Sequence, residues 1–170
     1  MDGVYVEENG VYQINLKSAL WHFGNLNNFY ANIGINVPNV DFIAETKDAI
    51  FLIEYKNTII ENAINPDAFD EKIRSKKFYQ SMTRKYYGSM FYILACDKNK
   101  PVHFVGIIES KLMDDSFTRK RIESSIKARL PFDQHKHSNT PKLIVNTFKI
   151  YSVSEWNETF PMFPLTRCLS

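Results

Sequence analysis

From residue 39 to 58 the chain reads NVDFIAETKDAIFLIEYKNT, with apolar runs at 42–44 and 49–53 on either side of Lys47 and Asp48. That pattern predicts a β-hairpin with Lys47-Asp48 as a two-residue turn. The second strand is apolar at every position from Ile50 to Ile53, so both of its faces are expected to be buried. Elsewhere the apolar spacing changes. Short alternating pieces around Asn9-Gly10 predict a small ribbon over residues 3–14. Leu16, Leu20, Phe23, Phe29, Tyr30 and Ile33 recur at roughly helical intervals and predict a helix over 16–33, broken near Gly24, which GINVPN ends. Phe69, Ile73, Phe78 and Met82 predict a second helix over 65–88, opened by Pro66 and Asp67. The runs 89–97 and 101–110 read as strands, and Phe117, Ile122, Ile126 and Leu130 give a third helix over 114–130. After a loop holding His135 and His137, residues 142–156 read as one last strand or hairpin. The fold class is α/β (α+β): a central mixed β-sheet flanked by helices, each apolar face covered by another layer.

The hairpin register brings chemistry together. Counting outward from the turn, Thr46 faces Ala49, Glu45 faces Ile50, Ile43 faces Leu52 and Asp41 faces Glu54. Period two sets Lys56 on the same face as Glu54. Opposed side chains lie about 5 Å apart, and two carboxylates held so close repel each other unless something compensates. A divalent cation compensates: Mg²⁺ takes carboxylate and carbonyl oxygens, so Asp41, Glu54 and the Tyr55 carbonyl form a candidate metal site. Lys56 is then placed to deprotonate an attacking water or to offset charge growing on a phosphate. A solvated or merely salt-bridged Glu-x-Lys ladder is the alternative on spacing alone.

Composition narrows the class further. At 170 residues, 44% hydrophobic and 24% charged, the chain suits one domain with a full core. The first 17 residues carry early acids and no long apolar run, which argues against a signal peptide or membrane anchor. An intracellular location, cytoplasm or nucleoid, is expected, with no membrane partner. Cys96 and Cys168 are too sparse for a disulfide framework or a zinc site. The net charge is only +2, but its distribution is uneven. Lys72, Arg74, Lys76, Lys77, Arg84 and Lys85 crowd the second helix and Arg119, Lys120, Arg121, Lys127 and Arg129 the third; of these Lys72, Lys76, Lys77, Arg119 and Lys120 are candidate nucleic-acid contacts, with solvated basic faces as the plainer account.

An Asp before one strand with Glu-x-Lys at the end of the next resembles the PD-(D/E)XK, or restriction-endonuclease-like, nuclease superfamily. Asp41 and Glu54-Tyr55-Lys56 carry the resemblance, which covers residues 16–110 within a single nuclease-like domain spanning 1–170. It implies a restriction-endonuclease-like core and phosphodiester hydrolysis with Mg²⁺ or Mn²⁺. Asp41 and Glu54 become ligands and Lys56 the catalytic lysine. Pro38 stands three positions before Asp41, where the family's proline usually adjoins the Asp, and residues 16–33 hold no Asp or Glu. Glu7 or Glu8 replaces the missing acid only if the N-terminal segment folds back; His22 is a weaker substitute and better suited to packing. Gln80 and Lys77, three apart on one helix face, reach toward the phosphate in this reading, and Gln80 is counted with the catalytic residues.

The expected function is a metal-dependent endonuclease acting on DNA. The alternatives are an inactive nucleic-acid-binding protein of the same fold and a ribonuclease of viral or defence type, with RNA as its partner. Cutting both strands often needs two sites, so the resemblance also implies a homodimer. Residues 158–165, ETFPMFPL, are aromatic-rich and suit capping of the core.

Overall fold

The computed structural model describes residues 2–59 and 68–168. The order is β1 (Val4–Val6), β2 (Tyr12–Asn15), β3 (Trp21–Gly24), α1 (Leu26–Asn32), β4 (Phe42–Glu45), β5 (Ile50–Asn57), α2 (Ala68–Arg74), α3 (Lys77–Ala95), β6 (Val102–Glu109), α4 (Ser116–Lys127), β7 (Thr147–Tyr151), α5 (Val153–Thr159) and β8 (Leu165–Arg167). A five-stranded mixed sheet runs β3-β4-β5-β6-β7, and a three-stranded sheet runs β1-β2-β8. In the larger sheet β3, β4 and β5 are antiparallel neighbours, while β5, β6 and β7 run parallel. Among the described residues no helix is long and apolar enough to cross a membrane.

The large sheet is buried on both faces, as the unbroken apolar run of β5 requires. One face carries Ile43, Ile50, Leu52, Phe104, Phe148 and Ile150, packed with Leu26, Tyr30, Phe78, Met82, Tyr86, Ile122 and Ile126 of the helices. The other carries Phe42, Phe51, Ile53, Tyr55, Val105 and Ile107 against Tyr5, Tyr12, Ile14, Trp156, Phe163 and Leu165. Each fully buried side chain of this size contributes about 1.5–3 kcal/mol of transfer free energy.

Four expectations need correction. Residues 16–33 are not one helix: 21–24 form β3, paired with β4 from Trp21↔Glu45 to Gly24↔Phe42, and only 26–32 are helical. Trp21 and Phe23 suit a strand, and cross-strand pairing outweighs the helix-like spacing. The helix expected over 65–88 is two, α2 and α3, separated at Lys76, whose φ of 61° is left-handed; Pro66 and Asp67 lie outside the described residues. The run 89–97 is no strand but the second half of α3, which continues through Gly88 to Ala95. An apolar stretch of that length does not separate buried helix from buried strand. Finally, 142–156 contain β7 and then the start of α5, where Ser152 and Glu155 form a reciprocal capping box.

Candidate functional site

The β4–β5 ladder has the register that the turn residues predict, with Phe42↔Ile53, Ile43↔Leu52 and Glu45↔Ile50. One step past its last pair, Asp41 stands opposite Glu54. Asp41 Oδ2 accepts a 2.8 Å hydrogen bond from the backbone N–H of Tyr55, which ties the carboxylate to the end of β5. By period two, Glu54 and Lys56 share the helix-covered face with Ile50 and Leu52. Lys56 lies near the end of β5, the central strand, and is partly exposed.

A residue that the sequence placed only among the cations of its helix completes the group. Lys85 Nζ on α3 donates to Glu54 Oε1 at 2.5 Å. Phe78, Met82 and Ser89 are buried on α3 at positions −7, −3 and +4 from it, so Lys85 occupies the apolar stripe of its helix. A cation on that stripe was the available signal. Three contacts fix α3 against the segment that leads to Asp41. Ser89 Oγ accepts from Val40 N at 3.0 Å, Tyr30 OH donates to Gly88 O at 2.8 Å, and a Cβ on Gly88 would stand 2.0 Å from Pro38 O. Only glycine admits that approach.

The N-terminal ribbon does fold back. Glu7, Glu8, Asn9, Asp41, Glu54, Tyr55, Lys56, Asn57 and Lys85 line one cleft of about 110 Å³. Glu7 is already committed to the β1–β2 turn, accepting from the N–H groups of Asn9, Val11 and Tyr12. Glu8 is exposed, and its charge acts on Asp41.

Burial dominates the electrostatics. Desolvation, then the charge of Asp41, pushes the Glu54 carboxyl up to about 8, against the opposing pull of Lys85. Asp41 is also raised, first by burial, with Lys85 and the Tyr55 N–H acting the other way. Burial, then the charge of Lys72, lowers Lys56. Lys85 is raised, because Glu54 and Asp41 together outweigh its own desolvation. Glu54 Oε2 is buried with no hydrogen-bond partner. An acid pair with one orphaned oxygen is short of positive charge. The donors present therefore suit a hard divalent cation held by Asp41, Glu54 and the Tyr55 carbonyl. Among the described residues no three His, Cys, Asp or Glu side chains cluster as a metal site, so that set rests on two carboxylates.

The other expected residues are placed as follows. Gln80 is exposed on α3 and lies outside the lining of the cleft. Five residues before Lys85, it points about 140° around the helix from it. Lys72, Lys76, Lys77 and Lys120 are exposed. Arg119 is instead held by Glu155 Oε2 at 2.6 Å and is 25% exposed. His22 Nδ1 pairs with Tyr5 OH at 2.9 Å on β3, away from the cleft lining.

No family model, curated protein or solved structure matches the chain.

Proposed function

We propose that the protein is a metal-dependent endonuclease of the PD-(D/E)XK kind, built on a restriction-endonuclease-like core and hydrolysing phosphodiester bonds in DNA. The observation that carries this reading is the opposition of Asp41 and Glu54 at one sheet end, with Lys56 two residues on and one Glu54 oxygen buried without a hydrogen-bond partner. Mg²⁺ or Mn²⁺ bound by Asp41, Glu54 and the Tyr55 carbonyl would supply Lewis-acid stabilisation of charge developing on the phosphate. Lys56, its proton affinity lowered by burial, takes up the proton of the attacking water or balances charge on the phosphate. Lys85 holds one oxygen of Glu54 in place and favours its ionised form. Exposed Lys72, Lys76, Lys77 and Lys120 supply sequence-independent attraction for the backbone.

The test is cleavage of plasmid, branched DNA and single-stranded RNA by wild type, K56A and D41N, with and without divalent metal. Metal-dependent cleavage of DNA that both substitutions abolish supports the reading. Preference for RNA moves it to a ribonuclease, metal-independent cleavage removes the mechanism, and no cleavage of any substrate leaves an inactive binding protein.

A further inference from the structure

α4 turns Ile122 and Ile126 into the core. At about 100° per residue, Phe117, Arg121, Ser124 and Ala128 fall on the side of the helix that faces away from the sheet. That side carries an open trough of about 660 Å³. Ser124, Ser125 and Ala128 line its middle and are small enough to leave the space. Lys120 and Arg121 stand toward one end and Arg129 at the other, about 12 Å further along the axis.

This face holds a bare ring and unpaired charge together. Phe117, in the first turn of α4, is 73% exposed, so most of its apolar area stays in water. Among the described residues Lys120, Arg121 and Arg129 form no ion pair. The acids of the helix are engaged elsewhere: Asp115 caps it, accepting from the Thr118 N–H, and Glu123 accepts from the Ile150 N–H. Arg119, on another face of the same helix, is by contrast neutralised by Glu155. Arg129 is fixed in place, because its Nη1 donates to Ser125 O and its guanidinium lies 5.3 Å from the ring of Tyr79 on α3.

Positive charge in line with an exposed ring fits a polyanion that carries flat apolar faces of its own. A small anion leaves Phe117 unused. A bilayer fits poorly: among the described residues lining the trough Phe117 is the single large apolar side chain, and a helix lying on a membrane needs a continuous apolar face. A second copy of the chain would set like charges against each other. A duplex offers phosphates but hides the faces of its bases in the stack, whereas a single strand offers both.

We infer that the trough on α4 is a binding track for single-stranded DNA, with a base stacked on Phe117 and backbone phosphates held by Lys120, Arg121 and Arg129. The inference rests on the nucleic-acid reading given above and adds to it a strand preference and a site apart from the acid pair, since the trough shares no lining residue with the cleft of Asp41 and Glu54. Through Tyr79 the trough adjoins the start of α3, where Lys76 and Lys77 are exposed, and the same helix goes on to Lys85. A strand held on α4 thus has a basic path to the helix that borders the cleft.

The experiment measures fluorescence anisotropy of a labelled thymidine dodecamer, an abasic dodecamer with the same phosphates, a duplex of that length and a uridine RNA dodecamer, with Ca²⁺ replacing Mg²⁺. The proteins are wild type, F117A, F117W and K120A/R121A, each with unchanged thermal unfolding. Wild type binds the thymidine strand about tenfold more tightly than the abasic one, the scale of one base stacked on an aromatic ring. F117A brings that ratio toward one and F117W keeps it. K120A/R121A lowers the salt slope of single-strand binding by about 1.4, for two lost phosphate contacts, and leaves the ratio standing. Equal binding of the thymidine and abasic strands, a ratio that F117A leaves unchanged, tighter binding of the duplex or the RNA, or binding to phosphatidylserine vesicles that the dodecamer does not displace overturns the inference while the nuclease reading stands. Failure of wild type to bind any strand overturns both. Base-dependent binding by a protein that cleaves nothing supports the track and removes the nuclease.

Discussion

The ammonium of Lys85 lies 2.5 Å from Oε1 of Glu54, a contact between the middle of α3 and the end of β5 that spans 31 positions of sequence. It is the principal compensation for a carboxylate that is only 6% exposed. Removing one member of a buried pair leaves the other charge stranded, at a cost of about 3–5 kcal/mol in the dry limit. Lys85 is 23% exposed, which trims the expected loss. K85M is expected to destabilise the metal-free protein by about 2 kcal/mol at pH 9, above the value of about 8 at which folded Glu54 ionises, read from urea unfolding. An unchanged midpoint would show that the pair contributes nothing.

Metal-free stability should depend on pH through Glu54. Its folded value of about 8 lies above the ordinary glutamate value of about 4.3. Between those two limits the folded state holds a proton that the unfolded state has released, so stability falls as pH rises from about 4.3 to 8. Asp41, also raised, acts in the same direction. Glu54→Gln removes the first of these slopes and is expected to stabilise the metal-free protein at pH 8 by a few kcal/mol. Thermal unfolding of wild type and E54Q from pH 5 to 8.5 checks it; parallel curves would refute the assignment.

The chemistry is expected to divide between binding and rate. K56A keeps its fold and most affinity for nucleic acid but loses about 10²-fold or more in cleavage. D41N loses cleavage and also binds Mn²⁺ more weakly, because an amide oxygen replaces a charged ligand. Single-turnover cleavage and Mn²⁺ titration separate the two. Equal rates for wild type and K56A would remove the lysine's role.

Exposed cations and the paired Arg119 should behave differently. Replacing Lys72, Lys76, Lys77 and Lys120 together by Ala should flatten the dependence of binding on salt, since four potential phosphate contacts are lost. R119A should leave that slope nearly unchanged and instead lower stability by under about 1 kcal/mol, because its guanidinium engages Glu155 at a partly exposed site. Binding isotherms at several salt concentrations and a thermal melt give both answers. The reverse pattern would place Arg119 in the substrate path.

Gly88 has no room for a side chain. A Cβ there would stand 2.0 Å from the backbone oxygen of Pro38, and backbone yields less readily than a flexible side chain. G88A is expected to cost about 1–3 kcal/mol and to disturb Asp41 and Lys85 together, lowering cleavage as well as the unfolding midpoint. Wild-type stability in G88A would show that the two segments separate freely.

The hairpin was legible because its turn residues and apolar runs fix a register by local counting, and one register brings Asp41 opposite Glu54. Lys85 was not, because its partner is 31 positions away and only the packing of α3 on the sheet brings the two together. For β3 the failure has another cause. Leu16, Leu20 and Phe23 continue the helical spacing of Phe29 and Tyr30 by coincidence, while β4 offers an edge that pairing with 21–24 covers. The continuation of α3 through 89–95 was obscured by Gly88, which reads as a stop but serves as a contact point. Gln80 was placed by its three-residue spacing from Lys77, which fixes a shared helix face but not which way that face points, and it lies outside the cleft lining.

β8 has one further consequence, in time rather than space. β2, which follows Glu7 and Glu8, pairs on its outer side with Leu165, Thr166 and Arg167. A chain leaving the ribosome can form the β4–β5 hairpin soon after residue 57 emerges, but β2 lacks this neighbour until residue 167 does. The β1–β2 ribbon, closed on itself through Glu7, therefore gains its outer strand only late in synthesis, and a shorter chain carries the acid pair and both lysines before that strand braces the ribbon beside them.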